Sequence, residues 1–145
     1  MFDGLHDFDW ASMDHAYGTA QEVPALLTAL RSPDAENRGK ALDRFYGAVH
    51  HQGGVYPSTA PGLPFPFELT ADDATPDRAA VLVRLDRMGP LAAPAPPLLR
   101  ERLARPRRGG RFQSVEHDEE LQRLGRTLIA RLDPPAPEAP APRRA

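Results

Sequence analysis

The sequence nearly repeats itself. Ser32-Pro33-Asp34 returns as Thr75-Pro76-Asp77, and Leu42-Asp43-Arg44 returns as Leu85-Asp86-Arg87, both at an offset of 43 residues. Val23-Pro24 is echoed by Leu63-Pro64 at nearly that spacing. A period of roughly 40–47 residues has room for two helices and their turns. A unit that small cannot bury its apolar face alone, so successive units stack and share a core. The repeat therefore predicts an all-α chain, an α-solenoid of antiparallel helix pairs with roughly five to seven helices.

The local patterns fit helices at this spacing. Asp9 is placed to cap a short helix whose Trp10, Met13 and Tyr17 share one face, ended by Gly18. Thr19 is placed to cap the next helix, in which Val23, Leu26, Leu27 and Leu30 fall at i, i+3, i+4 and i+7. Pro24 is tolerated near the first turn, where its missing N–H has no partner to lose. Ser32-Pro33-Asp34 reads as cap, first helical residue and dipole partner. Ala41, Leu42, Phe45 and Val49 follow as an apolar stripe, with Tyr46 beside it and Gly53-Gly54 closing the segment.

Residues 58–70 carry conflicting signals. Leu63, Phe65, Phe67 and Leu69 alternate as in a strand, Pro61, Pro64 and Pro66 oppose strand and helix alike, and the repeat phase calls for a helix. A short or distorted helix is the expectation. Thr75-Pro76-Asp77 restarts the chain, with Ala79, Leu82, Val83 and Leu85 as its apolar face and Gly89-Pro90 as its stop. A Pro/Ala linker follows, then a short helix around Leu98, Leu99 and Leu103, then an Arg-Gly loop. Ser114 is placed to cap a last helix, with His117 at its third position and Leu121, Leu124, Leu128 and Leu132 at three-to-four spacing. Glu119 and Arg123 stand in the favoured i, i+4 order.

These readings divide the chain into an N-terminal segment and short helix (1–18), two helix pairs (19–89), a Pro/Arg-rich linker (90–113), an amphipathic helix (114–133) and a Pro/Ala/Arg tail with little to bury (134–145).

The run Pro33-Asp34-Ala35-Glu36-Asn37-Arg38-Gly39-Lys40-Ala41-Leu42 resembles the second helix of a bacterial HEAT repeat. Such helices open Pro-Asp, carry Arg after a further three residues, and place Ala-Leu on the core face; Asp34, Arg38, Ala41 and Leu42 match. Pro24 looks like the proline common in a HEAT first helix. Trp10 through Arg87, with His51-Gln52-Gly53 and Val55-Tyr56, is similar to the start of HEAT-repeat proteins of high-GC Gram-positive bacteria, over about half the chain. The resemblance implies an armadillo-type fold in which Asp34 and Arg38 link neighbouring repeats. The sequence departs from the family at Asn37, where an apolar residue is usual, and at Arg78, which comes too early to match Arg38. It departs again at Pro61, Gly62 and Pro66. Nothing beyond Gly89 repeats, which marks a short or degraded member.

Composition narrows the chemistry. With no cysteine among 145 residues, disulfides, thiol catalysis and Cys-based zinc sites are excluded. A net charge of −2 gives no global attraction to nucleic acid or membrane. No apolar run approaches the roughly 20 residues of a membrane span, and the acidic start is unlike a signal peptide. A cytoplasmic protein is expected. Seventeen arginines against one lysine, Lys40, with the Ala and Pro load, fit a GC-rich genome.

His50, His51, Gln52 and Tyr56 form the densest polar-aromatic cluster and are the best binding candidates. Adjacent histidines at a helix end serve as ligands or proton-transfer groups, or simply as partners for the negative end of the helix dipole. Metal binding would need further ligands such as His15, and no HExxH spacing exists. No metal or cofactor is expected. Asp3, Asp7 and Asp9 fall where the chain should be solvated or capped, unlike a buried acid–base pair. There is no GxSxG elbow and no Walker-type phosphate loop.

The expected function is a non-enzymatic protein-binding scaffold or adaptor. The alternative is a nucleic-acid-associated protein that contacts phosphates through Arg100, Arg102, Arg105, Arg107, Arg108 and Arg111, beside Phe112. Some HEAT-like solenoids are DNA glycosylases with a basic face, aromatics and an acid; Trp10, Tyr17 and Asp9 would be the counterparts, though no motif fixes them.

Overall fold

A computed structural model describes residues 2–92, 100 and 115–134, with the side chains of 115–118 excepted. The described residues are mostly helical. The expected linker beyond residue 92, the helix near Leu98, the cap at Ser114, the placement of His117 and the tail lie outside them.

The N-terminal segment departs from expectation. In place of a helix through Tyr17 there is one 3-10 turn, Trp10–Ser12, and then a small antiparallel hairpin of β1 (Asp14–His15) and β2 (Gly18–Thr19). Asp9 makes no side-chain cap. Asp14 to Thr19 is made largely of weak helix formers, and the tertiary structure supplies other partners for their backbone. Ala16 N–H donates to the Ala48 carbonyl, Ala20 N–H to the Met13 carbonyl, and Gly18 takes a φ of +137° that side-chain-bearing residues rarely adopt. Trp10 is buried, its indole N–H donating to the Leu5 carbonyl at 2.6 Å, while Tyr17 points outward.

Helix α1 (Val23–Ala29) keeps Pro24 in its first turn and buries Val23, Leu26, Leu27 and, just past its end, Leu30. It is entered through a 3-10 turn, Ala20–Glu22, rather than through a Thr19 cap. Helix α2 (Ala35–Val49) is capped by Asp34, not Ser32: Asp34 is extended, and its Oδ1 accepts the Glu36 N–H at 2.9 Å. Ser32 instead accepts the Asp34 N–H, which leaves Pro33 outside the helix. Ala41, Phe45, Ala48 and Val49 are buried on α2, with Leu42 and Tyr46 packed at the edge of the core.

The proline-rich segment forms two short helices, α3 (Thr59–Gly62) and α4 (Pro64–Ala71), broken at Leu63. Pro61, Pro64 and Pro66 all fall within the first three positions of these helices, where an N–H has no intrahelical acceptor anyway. The strand-like alternation has a different cause: α4 is buried nearly all round, at Phe65, Pro66, Phe67, Leu69, Thr70 and Ala71. Gly62 packs against Phe45 and Val49, which ties α3 to α2.

Helix α5 (Arg78–Arg87) follows Asp77, which is left-handed (φ 53°) and does not cap it. Its buried face is Val81, Leu82 and Leu85, continued by Met88; Ala79 and Val83 are only half-buried. Gly89, at φ +58°, ends it, and a 3-10 turn, Gly89–Ala92, buries Ala92 where a linker was expected to begin. Helix α6 (Val115–Leu132) buries Leu121 and Leu128, with Leu124 and Leu132 packed alongside. Its Arg123 pairs with Glu120, at 2.6 Å, and not with Glu119. Helix α1 lies on α2, α4 on α5 and α5 on α6, and one apolar cluster runs from Leu5 to Leu128. No helix among the described residues is long and apolar enough to cross a membrane.

Candidate functional site

The C-terminus of α2 carries the histidines that the sequence singles out. His50 is the C-cap of α2 and has left helical geometry (φ −149°, ψ 70°), so His50 and His51 reach different neighbours. His50 Nδ1 meets the Tyr46 hydroxyl one turn back at 3.1 Å. His51 Nδ1 meets the Tyr17 hydroxyl from the hairpin at 2.9 Å. Gln52 and Gly53 take positive φ as the chain turns away, and the Gln52 side chain is exposed. Tyr56 belongs to that turn: its ring tip lies over Gly54, and its N–H donates to Thr59 Oγ1, whose hydroxyl donates to the Val49 carbonyl at 2.6 Å. The four residues do not converge on one point. Among the described residues, no group of three or more His, Asp or Glu could hold a metal ion.

Of the arginine cluster, Arg100 is described. Its guanidinium sits 2.6 Å from the Asp133 carboxylate, so its charge is balanced within the chain. Arg102, Arg105, Arg107, Arg108 and Arg111 lie outside the described residues. Asp3, Asp7 and Asp9 are exposed, as the solvated reading expects.

The hairpin assembles a second group that the sequence reading did not bring together. His15, Tyr17, Thr19, Gln21, Glu22 and Arg44 line a concavity of about 540 Å³ where the hairpin meets α2. The His15 ring is buried. Its Nδ1 accepts the Tyr17 N–H at 3.0 Å, which places the proton of the neutral ring on Nε2. Nε2 is shielded from solvent and has no hydrogen-bond partner among the described residues; Glu22 Oε1 lies 3.5 Å from it. Glu22 Oε2 is held by Arg44 at 2.6 Å. Tyr17 stands between the edges of His15 and His51, centroids at 6.1 and 5.3 Å, yet is 67% exposed. Glu22 and Arg44 are 22 residues apart and Tyr17 and His51 are 34, so no local pattern announces them. The usable signal is the pair of β-prone residues Tyr17 and Thr19 around Gly18, which also reads as a helix stop.

A separate ladder of ion pairs crosses the stacked helices. Arg38 on α2 holds Asp77 at the entry to α5, at 2.5 and 2.7 Å, and donates to the carbonyls of Ser32 and Pro33. Arg84 on α5 reaches back to Asp43 on α2 and lies over the Tyr46 ring, 5.5 Å from its centre. Arg131 on α6 reaches back to Asp86 on α5 at 2.8 Å. The Arg38–Asp77 pair walls an apolar concavity of about 400 Å³ with Leu30, Leu42, Pro76 and Leu121. Comparison with models of known families, with curated proteins and with solved structures finds no match.

Proposed function

We propose that the chain is a short HEAT-like α-solenoid acting as a non-enzymatic, cytoplasmic scaffold or adaptor that binds a protein partner. The observation that carries this reading is a cross-link that recurs with the repeat. Asp43 and Asp86, the central residues of the two Leu-Asp-Arg triplets, each take an arginine from a helix further along the chain, Arg84 on α5 and Arg131 on α6. Arg38 and Asp77 add the Asp–Arg link between units that the HEAT resemblance implies. A stack tied at the same place in successive units presents a continuous face, the kind of surface solenoids use to bind. Tyr17 and His51 supply an aromatic and polar contact on one such face.

The alternative, a nucleic-acid-associated protein, draws on the arginines of 100–111, and Arg100 is already paired with Asp133. The test is capture of partners by the tagged protein from host-like lysate, with and without nuclease. A defined protein that survives nuclease and is lost with the Tyr17→Ala, His51→Ala double variant is expected. Loss of all bound material on nuclease treatment overturns the reading in favour of the arginine segment.

A further inference from the structure

We propose that the concavity between the hairpin and α2 captures an arginine side chain from a basic segment of the protein partner, with the Glu22 carboxylate as its anchor. The inference rests on the scaffold reading for the existence of a partner.

The argument starts from Glu22. Its carboxylate faces the buried, unpartnered Nε2 of His15 at 3.5 Å on the inner side and is held on the outer side by Arg44. His15 is fixed in its turn by the Tyr17 backbone, so the inner contact is part of the fold. The outer contact is not: the Arg44 side chain is 64% exposed, and an exposed pair of this kind contributes little. An incoming guanidinium displaces Arg44 from Oε2 at small cost and takes over the same geometry.

The surroundings favour a cation. The first 30 residues carry five acids and no lysine or arginine, and Asp14 is exposed on the hairpin itself. Arg44, the one cation lining the concavity among the described residues, is the displaceable group. Tyr17 offers an exposed ring lining the same concavity, and a planar guanidinium stacks on such a ring better than an ammonium does. Thr19 and Gln21 also line the concavity and have side-chain oxygens able to accept the remaining N–H groups. Arginine is therefore preferred to lysine, and an acidic segment is rejected.

The test is titration of the full chain with an acetylated, amidated pentapeptide carrying two arginines, followed by NMR at low salt. Its lysine and glutamate counterparts serve as comparisons. Saturable movement of the Tyr17, Thr19 and Glu22 resonances by the arginine peptide, weaker for lysine and absent for glutamate, is expected. Arg44→Ala frees the anchor and should tighten binding roughly two- to fivefold, the equivalent of one exposed ion pair; Glu22→Gln should abolish it. No movement with the arginine peptide, weaker binding in Arg44→Ala, or binding of the glutamate peptide overturns the proposal. Arg44 is exposed, so that variant stays informative even if Glu22→Gln fails to fold. Peptide binding without any captured partner supports the pocket while overturning the scaffold, and a captured partner without peptide binding does the reverse.

Discussion

Arg38 on α2 grips Asp77 at the entry to α5 through both Nε and Nη2, at 2.7 and 2.5 Å, and its third nitrogen donates to the carbonyls of Ser32 and Pro33. One side chain thus joins the turn before α2 to the turn before α5. Arg38→Ala should cost about 1.5–3 kcal/mol, the range for hydrogen bonds made by a charged group, here one whose own side chain is 11% exposed. Lys40→Ala, two residues on, removes only an exposed i, i+4 pair with Glu36 and should change stability by less than about 0.5 kcal/mol. Urea unfolding of the two variants checks the contrast.

Two glycines should respond with opposite signs. Gly39 lies inside α2 with open space where a Cβ would sit, so Gly39→Ala should stabilise the protein by about 0.5–1 kcal/mol. Gly18, at φ +137°, has as much room, but its backbone conformation disfavours any side chain, so Gly18→Ala should destabilise by about 1 kcal/mol or more. Thermal unfolding of both variants checks the opposite signs.

Leu128 on α6 is 1% exposed within the same core as Leu82 and Leu85. Leu128→Ala should therefore cost about 2–5 kcal/mol in a single cooperative transition. A change below about 0.5 kcal/mol, typical of a surface site, would mean that α6 does not pack on α5.

Glu120 gives a pH-dependent check on the same helix. Its hydrogen bond from Arg123, and then the Arg123 charge, hold its carboxyl below the usual carboxylate range. A carboxyl lowered in the folded state stabilises above its unfolded pKa, and that contribution is lost as pH falls through the folded value. NMR titration should find the Glu120 midpoint below that of an unfolded reference peptide, and Arg123→Ala should return it to the reference. Both groups are exposed, so the effect on global stability is small.

The helical faces were legible in the sequence because each is a local pattern. Val23, Leu26, Leu27 and Leu30, then Ala41, Phe45 and Val49, then Leu121 and Leu128, are buried as their 3.6-residue spacing requires. The 43-residue recurrence likewise pairs Asp43 with Asp86, and both take an arginine from a helix further along the chain. The cap of α2 was placed two residues early, because Ser32 and Asp34 are both good caps and only the backbone angle at Asp34 chooses between them.

What the sequence by itself determined is a run of amphipathic helices, punctuated by Pro and Gly, with too little apolar surface in any one of them to stand alone. Only the tertiary structure decided the rest. It turned Asp14–Thr19 into a hairpin, because Ala48, in the last turn of α2, and Met13 offered carbonyls that no helix uses. It surrounded α4 with core, which made an alternating segment helical. It sent His50 and His51 to separate tyrosines, and gathered His15, Tyr17, Glu22 and Arg44 into one site. Each of these depends on groups brought together from distant stretches of chain, and a pairing of that kind has no period for a sequence to display.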